Sequence, residues 1–179
     1  MRIVVICISM VVWLPLWGQK YLSDKSTVTF FSEAPVENIK ATSEEASSIF
    51  DMGSGKIAFS VPIKSFQFRK SLMQKHFNEN YMDSEKYPKA TFEGKITNYQ
   101  AVDGSYKARA SGEMTIHGKT NKIEVDGDVI INDQTITISA VFPIALKDYK
   151  IKIPKILFSN IAEVVEVDVS FQYKPYVPN

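Results

Sequence analysis

The sequence is poor in the residues that carry covalent and metal chemistry. Its 179 residues include one cysteine, Cys7, and two histidines, His76 and His117. Cys7 sits in an N-terminal apolar run, so the remainder has no disulfide framework and no thiol nucleophile. Two isolated histidines without neighbouring cysteines give no metal-ligand spacing, and neither a metal nor a cofactor is expected. Net charge is scarce too, with 21 Lys and Arg against 20 Asp and Glu. A near-neutral chain lacks the basic footprint of a nucleic-acid binder. The carboxylates are scattered on polar faces, as at Glu44-Glu45 and at Asp126 and Asp128. None falls on an apolar face, where burial could split two pKa values for acid–base work. Gly53-Ser54-Gly55-Lys56 lacks the spacing of a phosphate loop and leads into a strand. One long hydrophobic run exists, residues 3–17, shorter than the roughly 20 residues of a membrane span. With Arg2 before it and Gly18 after it, this run reads as a signal peptide over residues 1–18. The expectation is an exported protein, periplasmic or secreted, with one domain over residues 19–179.

What the chain has in quantity is alternation. Ala90, Phe92, Gly94 and Ile96 alternate with Thr91, Glu93, Lys95 and Thr97. Tyr106, Ala108, Ala110, Gly112, Met114 and Ile116 alternate with Lys107, Arg109, Ser111, Glu113, Thr115 and His117. Period two buries one face of a strand and leaves the other wet. The same pattern recurs from Ile57 to Ile63, from Ile123 to Ile131, from Ile136 to Leu146 and from Val165 to Tyr173. A first strand is expected around Val28, Phe30 and Ser32, then a helical turn and loop over residues 33–51 where alternation fails. Phe66 and Phe68 are expected to prolong the strand that contains Phe59. Over residues 70–84 the period changes: Met73, Phe77 and Tyr81 recur every four residues, which predicts an amphipathic helix. Its apolar face suits a lid over a barrel mouth. Seven or eight strands with turn signals between them indicate an all-β barrel or sandwich, and closure would remove exposed edges.

Two stretches carry a resemblance. The run HFNENYMDSEKYPKATF, residues 76–92, precedes GEMTIHGKTNKIEV, residues 112–125; the segment LKDYKIKIPKILFSNIAEVVEVDV, residues 146–169, fits with them. Together they resemble the YceI-like family of bacterial envelope proteins. The resemblance implies an antiparallel, eight-stranded, lipocalin-like barrel with one short helix over a mouth. It also implies no catalytic residues and an interior able to hold an isoprenoid or similar amphiphile for sequestration or transport.

The inward rows supply the candidate ligand-binding residues: Phe59, Met73, Phe77, Phe92, Gly94, Ala110, Gly112, Met114, Gly127, Ile138, Ala140, Phe142, Val167 and Phe171. His76 is the head-group candidate, or a half-buried helix histidine. His117, at a strand end before Gly118, suits a turn. Parity predicts a three-residue loop over residues 102–104 with a left-handed Gly104, and a four-residue loop over residues 118–121. That register would align Gly94, Gly112, Gly127 and Ala140 in one row. The row reads either as a channel for a ligand chain or as a barrel bend filled by a large side chain. Lys147, Lys150, Lys152 and Lys155 form either a solvated loop or a site for an anionic head group or a membrane surface. Three functions stay open: a carrier of an apolar or amphiphilic ligand, a barrel with a filled core and a structural or interaction role, and an enzyme built on the two histidines. Ligand identity and oligomeric state are not encoded in any motif.

Overall fold

The computed structural model describes residues 20–33, 38–133, 135–153 and 162–177. The expected signal peptide, Pro154 and Lys155 lie outside the described residues. Ten strands follow in order: β1 (Lys20–Ser32), β2 (Ile39–Ser43), β3 (Ser47–Asp51), β4 (Lys56–Pro62), β5 (Gln67–Phe68), β6 (Lys89–Thr97), β7 (Gly104–Ile116), β8 (Lys119–Asn132), β9 (Thr135–Ala145) and β10 (Val164–Pro175). A helix, α1, covers Ser71–His76 and runs on as a wider π-turn over Phe77–Tyr81. The eight strands β1, β10, β9, β8, β7, β6, β4 and β3 pair in that order, and β3 returns to β1. This is a closed antiparallel barrel. β2 and β5 form a flap on its rim, β2 paired with β1 and β5 with β2.

Of the segment expected to be a helical turn and loop, residues 34–37 lie outside the described residues, and the rest forms β2 and β3 instead. Apart from Phe50, its inward positions are small or polar, Ala41, Ser43, Ala46 and Ser48, all buried. No apolar alternation marks such a strand, because its buried hydroxyls are satisfied by hydrogen bonds rather than excluded. Ser43 Oγ lies 2.6 Å from Ser65 Oγ, and Ser65 donates in turn to the Pro62 carbonyl at 2.6 Å. Ser26 Oγ donates to the Ala46 carbonyl at 2.7 Å, across the break where β2 leaves the barrel wall and β3 enters it. β1 itself begins earlier than its alternation suggests. A bulge at Asp24 separates Ser23 from Lys25 in the ladder with β10. An inserted residue switches which parity faces inward: Tyr21 is buried before it, Ser26, Val28 and Ser32 after it. Phe66 and Phe68 do not prolong β4. A short 3₁₀ turn at Ile63–Ser65 redirects the chain, and β5 pairs with β2.

The register of three hairpins bears on the expected glycine row. Gly94 lies opposite Gly112, and Gly127 lies opposite Ala140, as parity predicts. The first connection is wider than three residues, because the β6–β7 ladder ends at Thr97 and Arg109. The left-handed residue is Asn98, at φ 65°, whereas Gly104 has φ 156°. Tyr99 donates to the Met52 carbonyl at 2.6 Å, which draws this loop toward the β3–β4 turn. The middle hairpin turns in two residues, His117 and Gly118, both at positive φ (50° and 68°), and Ile116 pairs with Lys119. Such a primed turn matches strand twist. His117 accepts the left-handed conformation with its Nδ1 donating to the Tyr149 carbonyl at 3.2 Å. This turn puts Gly127 opposite Ala108, not Gly112. The four-member row is therefore broken.

At the end of the barrel away from the flap the interior is solid. Phe50, Ile136 and Tyr173 have no exposed surface, and Phe171 and Val129 almost none. Tyr173 donates to Ser48 Oγ at 2.6 Å, and Ser48 donates onward to the Ala58 carbonyl at 2.9 Å. Burial pushes the Tyr173 phenol well above its ordinary pKa. In urea unfolding, Ser48→Ala should cost about 1–3 kcal/mol, because it leaves the buried phenol unsatisfied. Tyr173→Phe, which removes only the donor, should cost closer to about 1 kcal/mol. The double variant should lose less than the sum. Gly112→Ala should destabilise by roughly 1–3 kcal/mol through overpacking, since an added Cβ would meet the Glu93 carbonyl oxygen and sit 2.6 Å from the Gly94 Cα and 2.9 Å from the Phe92 ring. A melting temperature equal to the parent's would contradict that packing.

Candidate functional site

The opposite end of the barrel is hollow. A cavity of about 310 Å³ opens under α1, between the flap and the ends of β4, β7, β9 and β10. Roughly 150 Å³ of dry apolar space suffices for a benzene-sized guest, so this one admits a longer chain segment. Its wall is almost wholly apolar; the polar side chains on it are Ser32, His76 and Tyr81. Ser32 Oγ accepts the Ala162 N–H at 2.9 Å. Tyr81, on the π-turn, has its phenol pKa raised by burial. Among the described residues no lysine, arginine or carboxylate lines the cavity.

The floor and the roof are both aromatic. Phe59 stacks on Phe92 at 5.4 Å between centroids and leans on Phe171 at 5.4 Å. Phe171 continues to Tyr173 and Phe50 at 6.1 Å each step. This run of rings separates the hollow end from the solid one. In the roof, Phe77 of α1 meets Phe30 of β1 at 5.3 Å, Phe68 of β5 at 5.0 Å and Phe66 at 5.7 Å. Phe30 and Phe77 each touch the other three rings, and Phe77 is how the helix is held. Rings at these separations in offset and edge arrangements attract beyond their area burial.

The expected residues divide along this floor. Phe59, Met73, Phe77, Met114, Phe142 and Val167 line the cavity, and so does His76. Phe92, Gly94, Ala110, Gly112, Gly127, Ile138, Ala140 and Phe171 do not line it. Gly94 and Gly112 sit side by side, and the Phe92 ring lies over both: a Cβ would stand 2.7 Å from its Cζ at Gly94. The space the two glycines leave is filled by a ring of β6, the strand of Gly94, which is how aromatic rings cover strand glycines. Phe30, Phe66 and Phe68 were expected on strands but not among the ligand-binding residues; for Phe66 and Phe68 the reason is that β5 is two residues long and periodicity needs more. The nearest signal was the aromatic alternation of Phe66 and Phe68. His76 has no protein hydrogen-bond partner among the described residues.

The two signature stretches meet at the rim. The Tyr87 ring packs edge-on to His117 at 4.6 Å between centroids and lies against Gly118, where a Cβ would fall 2.5 Å from its Cε1. The Pro88 carbonyl accepts the Ile63 N–H at 2.8 Å, which fixes this corner to the cavity wall at Ile63. Asn121 Nδ2 donates to the Asp148 carbonyl at 2.9 Å and holds the 3₁₀ turn Leu146–Tyr149 against β8. Among the described residues there is no cluster of three metal-ligating side chains. No described helix is long and apolar enough to cross a membrane.

Comparison with known proteins agrees with this architecture. The YceI-like domain matches residues 20–173. Among solved structures, BcnA of Burkholderia cenocepacia superposes with a TM-score of 0.69 at 22% identity, covering 82% of this chain and 95% of that one. A polyisoprenoid-binding domain of Saccharophagus degradans, implicated in plant cell wall breakdown, superposes at 0.75 with 16% identity, covering 87% and 98%. The YceI protein of Campylobacter jejuni gives 0.61 at 20% identity, covering 82% and 90%. No curated protein matches. A family match over residues 20–173, on a closed barrel with a hollow, aromatic-roofed end, establishes that the chain belongs to the YceI-like domain family.

Proposed function

We propose that this protein is an exported carrier that holds the apolar chain of an isoprenoid-like or lipid-like amphiphile in the barrel cavity. The observation that carries this reading is the cavity itself: about 310 Å³ of apolar space, roofed by a helix with no fully buried side chain. Burying a chain there gains roughly 0.8 kcal/mol per methylene, and nothing on the wall recognises one polar group in particular. The polyisoprenoid-binding domain of Saccharophagus degradans, with the same fold, supports the ligand class. The apolar run of residues 3–17 supports export, and with it a periplasmic or secreted location. An enzyme is disfavoured by the geometry: His117 is committed to a turn, and among the described residues no carboxylate shares the cavity with His76, whose hydroxyl neighbours on the wall are Ser32 and Tyr81. The filled-barrel alternative describes the end below Phe59 but leaves the upper space without a purpose.

Organic extraction of the purified protein followed by mass spectrometry should release a long-chain lipophile, and the stripped protein should take up geranylgeraniol. Val167→Trp, which puts a large ring into the cavity, should keep the fold and lower uptake at least about tenfold, a change of 1.4 kcal/mol. Phe77→Asp should speed release of bound lipophile and lower the melting temperature only modestly. Full uptake by the Val167→Trp protein would sink the cavity as the binding site.

A further inference from the structure

The lid and the flap make the outer surface of the cavity mouth, and their charge is largely of one sign. Residues 67–78 contain no carboxylate. They carry Arg69, Lys70 and Lys75, all exposed. β2 of the flap adds exposed Lys40 and no acid. The barrel wall is different: Lys107, Arg109 and Lys174 are each paired there with an acid. Among the described residues Lys40, Arg69 and Lys75 take part in no ion pair. The first acid on the lid is Glu79, in the π-turn beyond α1. The helix itself has two faces. Met73, His76 and Phe77 line the cavity, while Leu72 and Lys75, three residues apart on the other face, are exposed. Leu72 is 61% exposed, more than any other described leucine or isoleucine. A single such residue on a barrel wall needs no explanation. This one is flanked by Arg69, Lys70 and Lys75 on the element that closes the cavity.

An exposed leucine among basic residues on an amphipathic helix is the make-up of an element that lies in a bilayer interface. The carrier reading gives such an element a purpose. A guest with a long apolar chain dissolves poorly in water, so free diffusion between bilayer and cavity is the costly route. With the mouth held against a bilayer, the chain passes from one apolar surrounding to another. We propose that the outer face of the lid and flap docks on the surface of an anionic phospholipid bilayer, with Leu72 in the interface and Lys40, Arg69, Lys70 and Lys75 against the lipid phosphates. This rests on the carrier reading above and adds the partner from which the guest is taken or to which it is delivered. Each basic residue close to an anionic bilayer strengthens attachment about fivefold, so the four cations and one leucine suit a reversible contact rather than an anchor.

Tryptophan occurs in the sequence only at Trp13 and Trp17. In the chain from Gln19 onward, which holds every described strand, Leu72→Trp is therefore a single reporter. With vesicles of phosphatidylglycerol and phosphatidylcholine its emission should shift to the blue and be quenched by brominated lipid. Val102→Trp, equally exposed but at the closed end of the barrel, should show neither. Sedimentation with the same vesicles should weaken as salt rises and be poor with phosphatidylcholine alone. Lys40→Gln/Arg69→Gln/Lys75→Gln should lower it at least about tenfold, with melting and vesicle-free uptake of geranylgeraniol unchanged. Lys20→Gln/Lys56→Gln/Lys95→Gln, which removes the same charge from the closed end, should leave it near the parent's. An equal loss in both triple variants, or equal quenching of both tryptophans, overturns the lid as the docking face. Uptake of geranylgeraniol without attachment to vesicles overturns the docking and leaves the carrier standing. Attachment through Leu72 without any uptake supports the docking and sinks the carrier. Attachment to native envelope vesicles that is lost when their proteins are digested, with none to pure lipid, overturns the bilayer in favour of a protein partner.

Discussion

The ladder between the first and last strands is the constraint on which everything else depends. β1 pairs with β10 from Tyr21–Pro175 to Phe31–Glu166, so the two ends of the domain must meet before the barrel exists. Until then β1 and β10 are open edges, and loop-closure entropy opposes their meeting. Once closed, the ladder carries Tyr173 to Ser48 and Phe171 to Phe59, contacts that neither strand makes alone. The Asp24 bulge belongs to the same constraint. It lets β1 present Tyr21 to the solid end and Phe30 to the hollow one, and Lys174 pairs with the bulged aspartate at 2.8 Å.

Small barrels are commonly either filled by their own side chains or open to one ligand. This one divides the two conditions along its axis. Aromatic rings pack the end around Tyr173, and the aliphatic side chains of β4, β9 and β10 are left facing empty space above Phe59. The strands do not change between the halves. What changes is that the wall parts where β2 leaves β3 to pair with β5, which removes one set of inward side chains from the barrel. The flap is thus both the cause of the space and a part of its roof.

The long strands were legible because their inward rows are continuously apolar, as from Ile136 to Ile144 and from Val165 to Tyr173. The lid helix was legible from Met73, Phe77 and Tyr81. β2 and β3 were not, since a strand that buries serine on partners from elsewhere looks like a loop until those partners are placed. The register was legible where parity alone decides it, at Gly94–Gly112 and Gly127–Ala140. It failed at His117, because a non-glycine residue at positive φ needs the Tyr149 carbonyl and the Tyr87 ring, and both are remote in sequence. The candidate site followed the same division. Residues such as Phe142 and Val167 were legible as inward, but inward says nothing of height along the barrel. Only the run of rings from Phe92 to Tyr173 separates wall from core.

The lid is joined to the barrel by side chains that are at most half-buried, with Phe77 touching three rings at once. Segments with so little buried surface open locally at a fraction of the global unfolding free energy. None of the paired backbone that closes the barrel lies in this segment. Guest exchange and unfolding can therefore run on separate clocks. On the carrier reading, a guest would come and go many times in the life of one folded molecule, at a rate set by a few aromatic contacts while the ladder stays shut.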